Sequence, residues 1–408
     1  MSYRAAATTI FLLNGAVFSS WYARLPAIQA DLDIGPGALG LALLGAPAGL
    51  LVAQPLVGAL VARRGSGGVV AAAPAYIPAV ILPAAATDAA TLFAATALVG
   101  AANGTLDIAM NVQGLAVERA TGRRIFNSLH AAFSFGALGG ASVAAAVAAL
   151  GLAPLPHLVA VAGIGGVAAV AVAPHLLRDE ETASRRGQLV ARPSLHLAAL
   201  GLIAFCALLA EGAAFDWSGV YMATEAGASA GIAPLGLAAF CLTMGIGRLS
   251  ADHAAERAGA PRVAAGGAVL AAVGLGLGLA VAVPAVALLG FALMGLGLSA
   301  VFPLALRASG LAESSPGPAV AAVSTVGYGG FLLGPPLIGV LAGGTGLRGA
   351  LLAACVLCLV AAGLAGHVRD APCPAPACSK RRSTRRAWSG TGVHCAHEAD
   401  RLRLRPRC

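Results

Sequence analysis

The sequence contains almost no lysine, since the 408-residue chain has one, Lys380. A phosphate-binding P-loop needs the pattern Gly-x-x-x-x-Gly-Lys-Ser/Thr, and the residues around Lys380 do not form it. An ATP-driven pump is therefore not expected on this polypeptide. The sequence also shows no cluster of metal ligands and no pairing of a nucleophile with a base. We therefore expect no metal, no cofactor and no enzymatic activity.

Charged residues are also scarce, at 11% of the chain, whereas hydrophobic residues make up 58% and the mean hydropathy is +0.84. A soluble domain carries about 25% charged residues. A soluble core could not bury so much apolar surface, so lipid must form part of the solvent. The composition predicts an integral membrane protein.

Uncharged stretches long enough to cross a bilayer recur along the whole chain. A helix needs roughly 20 apolar residues to span about 30 Å of hydrocarbon. The stretches lack the polar alternation of barrel strands, so we expect helices. The first is expected to be retained, because it exceeds the usual length of a signal peptide. The twelve predicted spans are 5–30, 36–61, 68–87, 89–117, 126–150, 156–177, 196–222, 232–252, 263–282, 284–306, 318–342 and 348–368.

These spans place every Lys and Arg except Arg24 and Arg348 on one side of the membrane. Positively charged loops resist translocation, so the side rich in cations is expected to be the cytoplasm. Both termini are then cytoplasmic, and the membrane is the cell (inner) membrane. We call the face that carries Arg24 and Arg348 the cation-poor face, and the opposite one the cation-rich face.

The two halves of the chain share short motifs in the same order. Residues 39–42, Leu-Gly-Leu-Ala, recur at 235–238, and residues 114–116, Gly-Leu-Ala, recur at 310–312. Collinear repeats indicate duplication, and paired six-helix repeats are typical of secondary transporters that hold their solute between the halves. The predicted domains are an N-terminal bundle (1–177), a cytoplasmic linker (178–195), a C-terminal bundle (196–368) and a basic tail (369–408).

Two loops carry a family resemblance. The loop after span 2, residues 58–65, reads Gly-Ala-Leu-Val-Ala-Arg-Arg-Gly and resembles the Gly-x-x-x-Asp-Arg-x-Gly gating loop of the major facilitator superfamily. Ala62 replaces the Asp, so that carboxylate's contact is not carried over. The counterpart after span 8 begins with Gly247-Arg248 and includes Asp252. The resemblance implies gating roles for Arg63, Arg64, Gly65, Arg248, Asp252 and Arg257.

Three further segments narrow the resemblance: Trp21-x-x-Arg24-Leu25-Pro26, residues 107–113 (Asp-Ile-Ala-Met-Asn-Val-Gln), and residues 127–130 (Asn-Ser-Leu-His). They are similar to a bacterial branch related to the fucose-permease type of proton-coupled sugar transporter. The resemblance implies an all-α integral membrane fold of twelve transmembrane helices in two six-helix halves. It also implies alternating access, with spans 1, 4, 7 and 10 around the cavity.

Ionisable residues inside the predicted spans are the candidates for proton coupling. A carboxylate at mid-bilayer costs roughly 2.5–3.5 kcal/mol on insertion scales, so it usually faces a cavity or a partner. Asp107 is the leading candidate. Glu211 is the second, and its alternatives are substrate binding or a structural carboxylate neutralised by a neighbour. His130 could relay a proton or bind substrate, or it could form a helix-to-helix hydrogen bond.

Polar and aromatic residues on three helical faces are the candidates for substrate binding. Their spacing of three, four or seven residues places them on one side of each helix. Trp21 has a second interpretation as an interfacial anchor. The candidates are Asn14, Phe18 and Trp21 in span 1, Asn103 and Asn111 in span 4, and Asn127 and Ser134 in span 5.

Arg24 and Asp216 are the candidates for a gate at the cation-poor face. Arg24 could pair with Asp31, Asp33 or Asp216 and form a latch, and Asp216 is expected at a water-exposed position. At the cation-rich end of span 8, Arg248 and Asp252 are four residues apart. They could therefore bond along their own helix or across to a neighbour, and we expect an inner gate there.

The sequence therefore favours a proton-coupled secondary transporter of a small polar, sugar-like solute, with protons and the lipid bilayer as partners. Proton-antiport efflux of drugs or metabolites is an alternative, and a transport-inactive membrane sensor or scaffold is an alternative from another class. The tail carries ten Lys or Arg against three acids and is expected to be disordered and to touch anionic lipid. We do not expect the tail to bind nucleic acid. We expect the protein to be a monomer.

Overall fold

The computed structural model describes residues 1–122, 125–178, 194–312 and 316–368, and every regular element within those ranges is a helix. The α-helices are α1 Tyr3–Tyr22, α2 Leu25–Asp31, α3 Pro36–Leu43, α4 Gly45–Val70, α5 Ala73–Tyr76, α6 Ala89–Thr121, α7 Phe126–Ala149, α8 Pro154–Val172, α9 Leu195–Thr224, α10 Leu235–Ala258, α11 Ala260–Val281, α12 Pro284–Leu298, α13 Val301–Ala312 and α14 Pro316–Leu364. Three 3₁₀ helices cover Ile77–Ala85, Ala173–His175 and Ala365–His367.

The described residues hold enough helix for twelve crossings. Nine segments are long and apolar enough to span a membrane, and a bent pair, Arg63–Val70 with Ala73–Ala85, is a tenth. One of the nine, Ala322–His367, has 46 residues. That length is about twice what a bilayer needs, and Gly346, with φ 71°, divides the segment into two crossings. Adding the 20-residue α1 gives the predicted twelve, and the all-α membrane fold is confirmed.

Two glycines turn the chain at corresponding places in the two halves. Gly65, at the end of the loop motif after span 2, has φ 70° and ψ 161°. Gly259, at the end of the longer motif after span 8, has φ 86° and ψ 139°. Residues with a Cβ are strained at such positive φ, whereas glycine is not. The shared backbone geometry explains why both motifs end in glycine.

Four predicted spans are not the continuous helices that the sequence suggested, and span 2 is one of them, since it is divided between α3 and α4 at Leu44. Span 3 consists of the end of α4, the four-residue α5 and a 3₁₀ helix, with a bend of 70°. Pro74, Pro78 and Pro83 recur along it, and each removes a backbone N–H that an α-helix would use. Span 1 breaks at Arg24, just before Pro26, and span 10 breaks between α12 and α13.

The two halves approach each other closely near the cation-poor face. A Cβ placed on Gly40 in span 2 would lie 2.6 Å from the carbonyl oxygen of Pro335 and 2.8 Å from the Cα of Gly339, both in span 11. A Cβ on Gly231, just before α10, would lie 2.6 Å from the Cβ of Ala149 at the end of α7. Backbones can come this near only where no side chain intervenes.

The predicted linker 178–195 lies mostly outside the described residues, and α9 begins at Leu195. The predicted basic tail, 369–408, lies outside them altogether. Met1–Arg369 form one compact unit. The boundary between the two bundles therefore stays a prediction from the sequence.

Candidate solute and proton pathway

Arg248 of α10 connects the two halves inside the predicted spans. Its Nη2 lies 3.1 Å from Oε1 of Glu211 in α9, and its Nη1 donates a hydrogen bond of 2.9 Å to Oγ of Ser134 in α7. The side chains of Arg248 and Glu211 are only 16% and 13% exposed. Arg248 therefore holds a carboxylate of the C-terminal half and a hydroxyl of the N-terminal half at the same time.

The sequence left two alternatives open for Arg248, a bond along its own helix with Asp252 or a bond across to a neighbour. The structure shows the second, because Arg248 bonds Glu211 and Ser134 on neighbouring helices. Gly245, one turn earlier in α10, makes this possible, because a Cβ there would already lie 3.3 Å from the Cβ of Ser134. The close packing of α10 on α7 brings the guanidinium across the boundary between the halves. One alternative for Glu211 was a carboxylate neutralised by a neighbouring charge, and in the structure Arg248 is that neighbour.

His130 lies in α7 one turn before Ser134. Its ring packs edge-on between Phe11 and Phe126, with centroid distances of 5.4 and 4.8 Å. It lies within electrostatic range of Arg248, and its backbone carbonyl accepts a hydrogen bond of 3.2 Å from Ser134 Oγ. The structure thus brings two predicted residues of span 5 to the Arg248–Glu211 pair. The side chain of Asn127 lies outside the described residues.

Asp107 approaches the same region from α6. Its carboxylate has no ion-pair partner within the described ranges. Asn111 donates to the backbone carbonyl of Asp107, at 2.8 Å, and the Oδ1 of Asn111 is buried without a partner. Tyr328 of α14, which the sequence interpretation missed, is 45% exposed and lies within electrostatic range of both Asp107 and Glu211. Carboxylates from the two halves therefore face one region, with Tyr328 beside them.

A small cavity of about 30 Å³ lies inside the N-terminal half. Four predicted substrate residues, Asn14, Phe18, Trp21 and Asn103, line it together with Tyr76, which the sequence did not single out. The cavity could hold water, which needs about 10–15 Å³, or one polar group of a larger solute. Sequence analysis missed Tyr76 because its neighbours in span 3 are apolar. Further polar residues beside it would have indicated a cavity-lining face.

Two hydrogen-bond donors in the wall of this cavity have no partner. They are Nδ2 of Asn14 and Nε1 of Trp21, on residues that are 3% and 0% exposed. A buried donor left unsatisfied costs about 1–3 kcal/mol. Such donors are satisfied when an acceptor oxygen enters the cavity. The full burial of Trp21 also argues against its alternative role as an interfacial anchor, which would keep its N–H in the headgroup layer.

An aromatic cluster joins the halves beside the cavity. Phe18 and Tyr22 of α1 lie 6.1 and 5.9 Å from Phe215 of α9, measured between ring centroids. Phe215 in turn contacts Phe240 of α10 at 6.0 Å. Edge-on and tilted aromatic contacts of this kind add about 0.5–1.5 kcal/mol each to the burial of the rings. The cluster extends the apolar surface that Phe18 was predicted to offer.

The predicted latch at the cation-poor face is not formed in this structure. Arg24 donates to the backbone carbonyls of Ala144, at 3.5 Å, and Leu152, and it makes no ion pair with Asp31, Asp33 or Asp216. Ala144 lies in the last two turns of α7 and Leu152 in the loop that follows, and the partial negative charge at a helix C-terminus favours a cation there. Arg348 similarly donates to the carbonyl of Ala280, near the end of α11.

The other predicted gate residues occupy varied environments. Asp216 is 5% exposed rather than water-exposed as expected, and it lies within electrostatic range of Tyr22. Gly65 is buried at the turn after span 2. The remaining members are exposed near the cation-rich ends of their helices: Arg63, Arg64, Asp252 and Arg257. Their gating roles stay predictions.

Two sets of membrane helices that share buried polar groups across their boundary define a multi-pass membrane transporter. Sequence comparison agrees. A sequence model of the Major Facilitator Superfamily matches residues 200–393. An uncharacterised MFS-type transporter of Yersinia pestis is 33% identical over 347 residues, which cover 84% of this chain and 89% of that protein. The chain belongs to the Major Facilitator Superfamily, as its motifs indicated.

Solved structures show the same fold. A variant of the nucleoside transporter NupG matches with a TM-score of 0.70 and 14% identity, covering 90% of this chain and 100% of that one. A variant of the E. coli fucose:proton symporter FucP matches with a TM-score of 0.62 and 17% identity, covering 91% and 100%. At these identities the likeness establishes the architecture, and it leaves the solute to be argued from the site.

Proposed function

We propose that this chain is a proton-coupled secondary transporter of a small, neutral, sugar-like solute, and that it works by alternating access of two six-helix bundles. The observation that carries the proposal is the bridge from Ser134 through Arg248 to Glu211. A bond between the halves has to break or change partners when the halves rock. Its strength therefore contributes to the equilibrium between the two states of the transporter.

Asp107 supplies the proton-binding site. An intramembrane carboxylate without a cationic partner carries a desolvation cost that a bound proton removes. Glu211 differs, because Arg248 neutralises its charge. Tyr328 interacts electrostatically with both Asp107 and Glu211, so the two carboxylates lie in one region. A proton on Asp107 therefore changes the electrostatic potential at Glu211 and Arg248. His130, on the other side of Arg248, is the candidate relay.

The solute binds at Asn14, Trp21 and Asn103. The unpartnered donors of Asn14 and Trp21 suit the acceptor oxygens of hydroxyl or carbonyl groups, and no charged side chain is among the lining residues. Phe18 and Tyr76 provide apolar surface for a ring. NupG and FucP are named for nucleoside and fucose:proton transport. These activities belong to NupG and FucP, and because the folds are alike, nucleosides and sugars are suitable first ligands to test on this chain.

We further propose that the chain works as a monomer in the cell (inner) membrane, with both termini in the cytoplasm. The one-sided distribution of Lys and Arg supports this orientation. The close approach of Gly40 to Gly339 and of Gly231 to Ala149 then closes the outer side.

The test begins with a thermal-shift screen of the purified protein against sugars, polyols, nucleosides, organic acids and drugs, since a ligand of the folded state raises its stability. Uptake of the resulting ligand is then measured in proteoliposomes with and without a pH gradient. An inward proton gradient should accelerate uptake by the wild type. Asp107→Asn should lose that response and keep solute exchange.

The matched control is Asp33→Asn, at an exposed loop position with φ 50° that asparagine tolerates. It should respond to the gradient as the wild type does. Flux that ignores the gradient in the wild type, or an unchanged response in Asp107→Asn, would remove the proton role. Outward pumping of hydrophobic cations would favour the efflux alternative.

A further inference from the structure

A second and larger cavity opens on the outside of the N-terminal half, between spans 2, 3 and 4. Its volume is about 740 Å³, within the range of about 300–1,000 Å³ that is usual for ligand sites. Leucine, valine and alanine form most of its wall, and Arg63 is the one charged residue among those that line it. We call this cavity the lateral groove.

The lateral groove faces the bilayer. Leu56 on α4 and Leu98 on α6, both in its wall, are 71% and 58% exposed. Large apolar side chains with this exposure on membrane helices contact lipid. The groove also has a direction. Leu82 and Leu98 lie toward the cation-poor ends of their helices, and Arg63 lies at the cation-rich end of span 2.

We propose that the lateral groove binds one anionic phospholipid, with an acyl chain among its leucines and the phosphate at Arg63. On α4 alone, the lining runs from Ala53 to Arg63, or about 15 Å at 1.5 Å per residue. That path follows the axis of a membrane-spanning helix, and an acyl chain also extends across the bilayer. Arginine binds phosphate oxygens through two parallel N–H bonds. The groove therefore offers both parts of a lipid molecule a matching environment, in the right order.

The back wall of the lateral groove is shared with the small polar cavity. Tyr76, Ala79 and Ala102 line both. Span 3 is the broken, proline-rich span here, so it has fewer backbone hydrogen bonds to hold its shape than a regular helix. An acyl chain packed against Tyr76 from outside supports the wall that faces Asn14 and Asn103. The lipid site does not depend on the identity of the transported solute.

The experiment uses the full-length protein, purified in mild detergent and delipidated. Equal amounts of phosphatidylglycerol and phosphatidylcholine are added, and native mass spectrometry counts the bound molecules of each. The wild type should retain one phosphatidylglycerol in preference to phosphatidylcholine. Arg63→Gln should lower this preference about five-fold, the effect of one cation near a lipid surface. The matched control is Arg64→Gln, which removes the same charge from an exposed neighbour outside the groove and should keep the preference.

A second variant tests the acyl chain. Ala101→Phe places a ring in the middle of the groove and should release both lipids, whereas the arginine variants affect only the choice between them. Ala53→Phe serves if Ala101→Phe fails to elute as a folded monomer. Equal loss of preference in Arg63→Gln and Arg64→Gln would reduce the effect to general charge attraction and overturn the proposal. So would retention of the lipid by a folded groove-filling variant.

Discussion

The guanidinium of Arg248 lies 3.1 Å from the carboxylate of Glu211 and reaches Ser134, on the other half of the molecule, with its second terminal nitrogen. Both charges are largely removed from water, so each depends on the other. An ion pair in such a place adds little net stability, but the loss of one partner strands a buried charge. The pair therefore serves better as a switch than as a source of stability.

We expect Arg248→Gln and Glu211→Gln, made singly, to destabilise the protein by up to about 3 kcal/mol, because each strands one charge. The double variant should recover much of the loss, since no charge is left unpaired. Thermal unfolding in detergent measures the cycle. Arg307→Gln, at an exposed arginine of α13, is the control and should change little. A double variant that is as unstable as the sum of the two single variants would contradict the coupling.

Trp21→Phe should separate solute binding from stability. The change removes an unpartnered indole N–H from the cavity wall and leaves an aromatic ring, so the unliganded protein should unfold at a similar temperature. The rise in Tm caused by the solute should be lost. Trp217→Phe removes an equally buried and unpartnered indole N–H that does not line the cavity, and it should keep the solute-induced rise. If the two variants behave alike, the cavity is not the solute site.

Gly40→Val should shift the transporter away from the conformation described here. The new side chain would collide with the carbonyl of Pro335 and with Gly339, so the halves could not meet at the cation-poor face. Spin labels at Asp31→Cys and Gly343→Cys, both exposed near that face, should report a longer distance. The control is Gly139→Val, since a Cβ on Gly139 meets no atom within 4 Å. An unchanged label distance would show that the face closes without this contact.

Asp88, which lies outside the membrane spans, makes a pH-dependent contribution to the free energy of unfolding. Its carboxylate accepts hydrogen bonds from the backbone N–H of Thr91, at 2.8 Å, and from the Thr91 hydroxyl, and these hydrogen bonds hold the pKa of Asp88 below its usual range. A depressed pKa means that this contribution is present above the unfolded value of about 3.9 and is lost as the pH falls through the folded value.

Asp88→Ala should therefore lower the Tm by a constant amount from neutral pH down to about pH 5, because the start of α6 loses its cap. The gap to the wild type should narrow as the pH falls below about 4. Melting curves over this range test the prediction. Thr224→Ala, at an exposed threonine near the end of α9 whose hydroxyl bonds the carbonyl of Val220, is a control that leaves Asp88 untouched and should run parallel to the wild type. A gap that stayed constant down to pH 3 would show that ionisation of Asp88 is not involved.

Much of the fold could be predicted from local properties of the sequence. The number of spans follows from the recurrence of uncharged segments, and two glycines of the loop motifs, Gly65 and Gly259, both have positive φ in the structure. The interruption of span 3 was also visible in Pro74, Pro78 and Pro83, but hydropathy averaged over a window does not register it. Four of the seven predicted substrate residues meet at one cavity, because helical spacing places residues of one face together.

The partners of the ionisable groups could not be predicted in this way. Arg24 had three carboxylates within plausible reach in the sequence, and the structure shows it bonded instead to the carbonyl of Ala144 in α7 and to that of Leu152 in the loop after α7. For Arg248 the sequence left open a bond along its own helix or across to a neighbour, and the structure shows bonds to residues 37 and 114 positions away. Tyr328 and Tyr76 were missed for the same reason, since each owes its position to helices that are distant in the chain.

The sequence by itself determined that this chain is an integral membrane protein, which segments cross the membrane, and to which superfamily it belongs. The free energy of transferring a segment into lipid is roughly the sum of contributions from its own residues, so a stretch of about twenty residues decides whether it crosses the membrane. Only the tertiary structure decided that Glu211 is neutralised by Arg248 while Asp107 is not. The energy of a buried charge depends on what lies within a few ångströms, and helix packing alone brings those groups together.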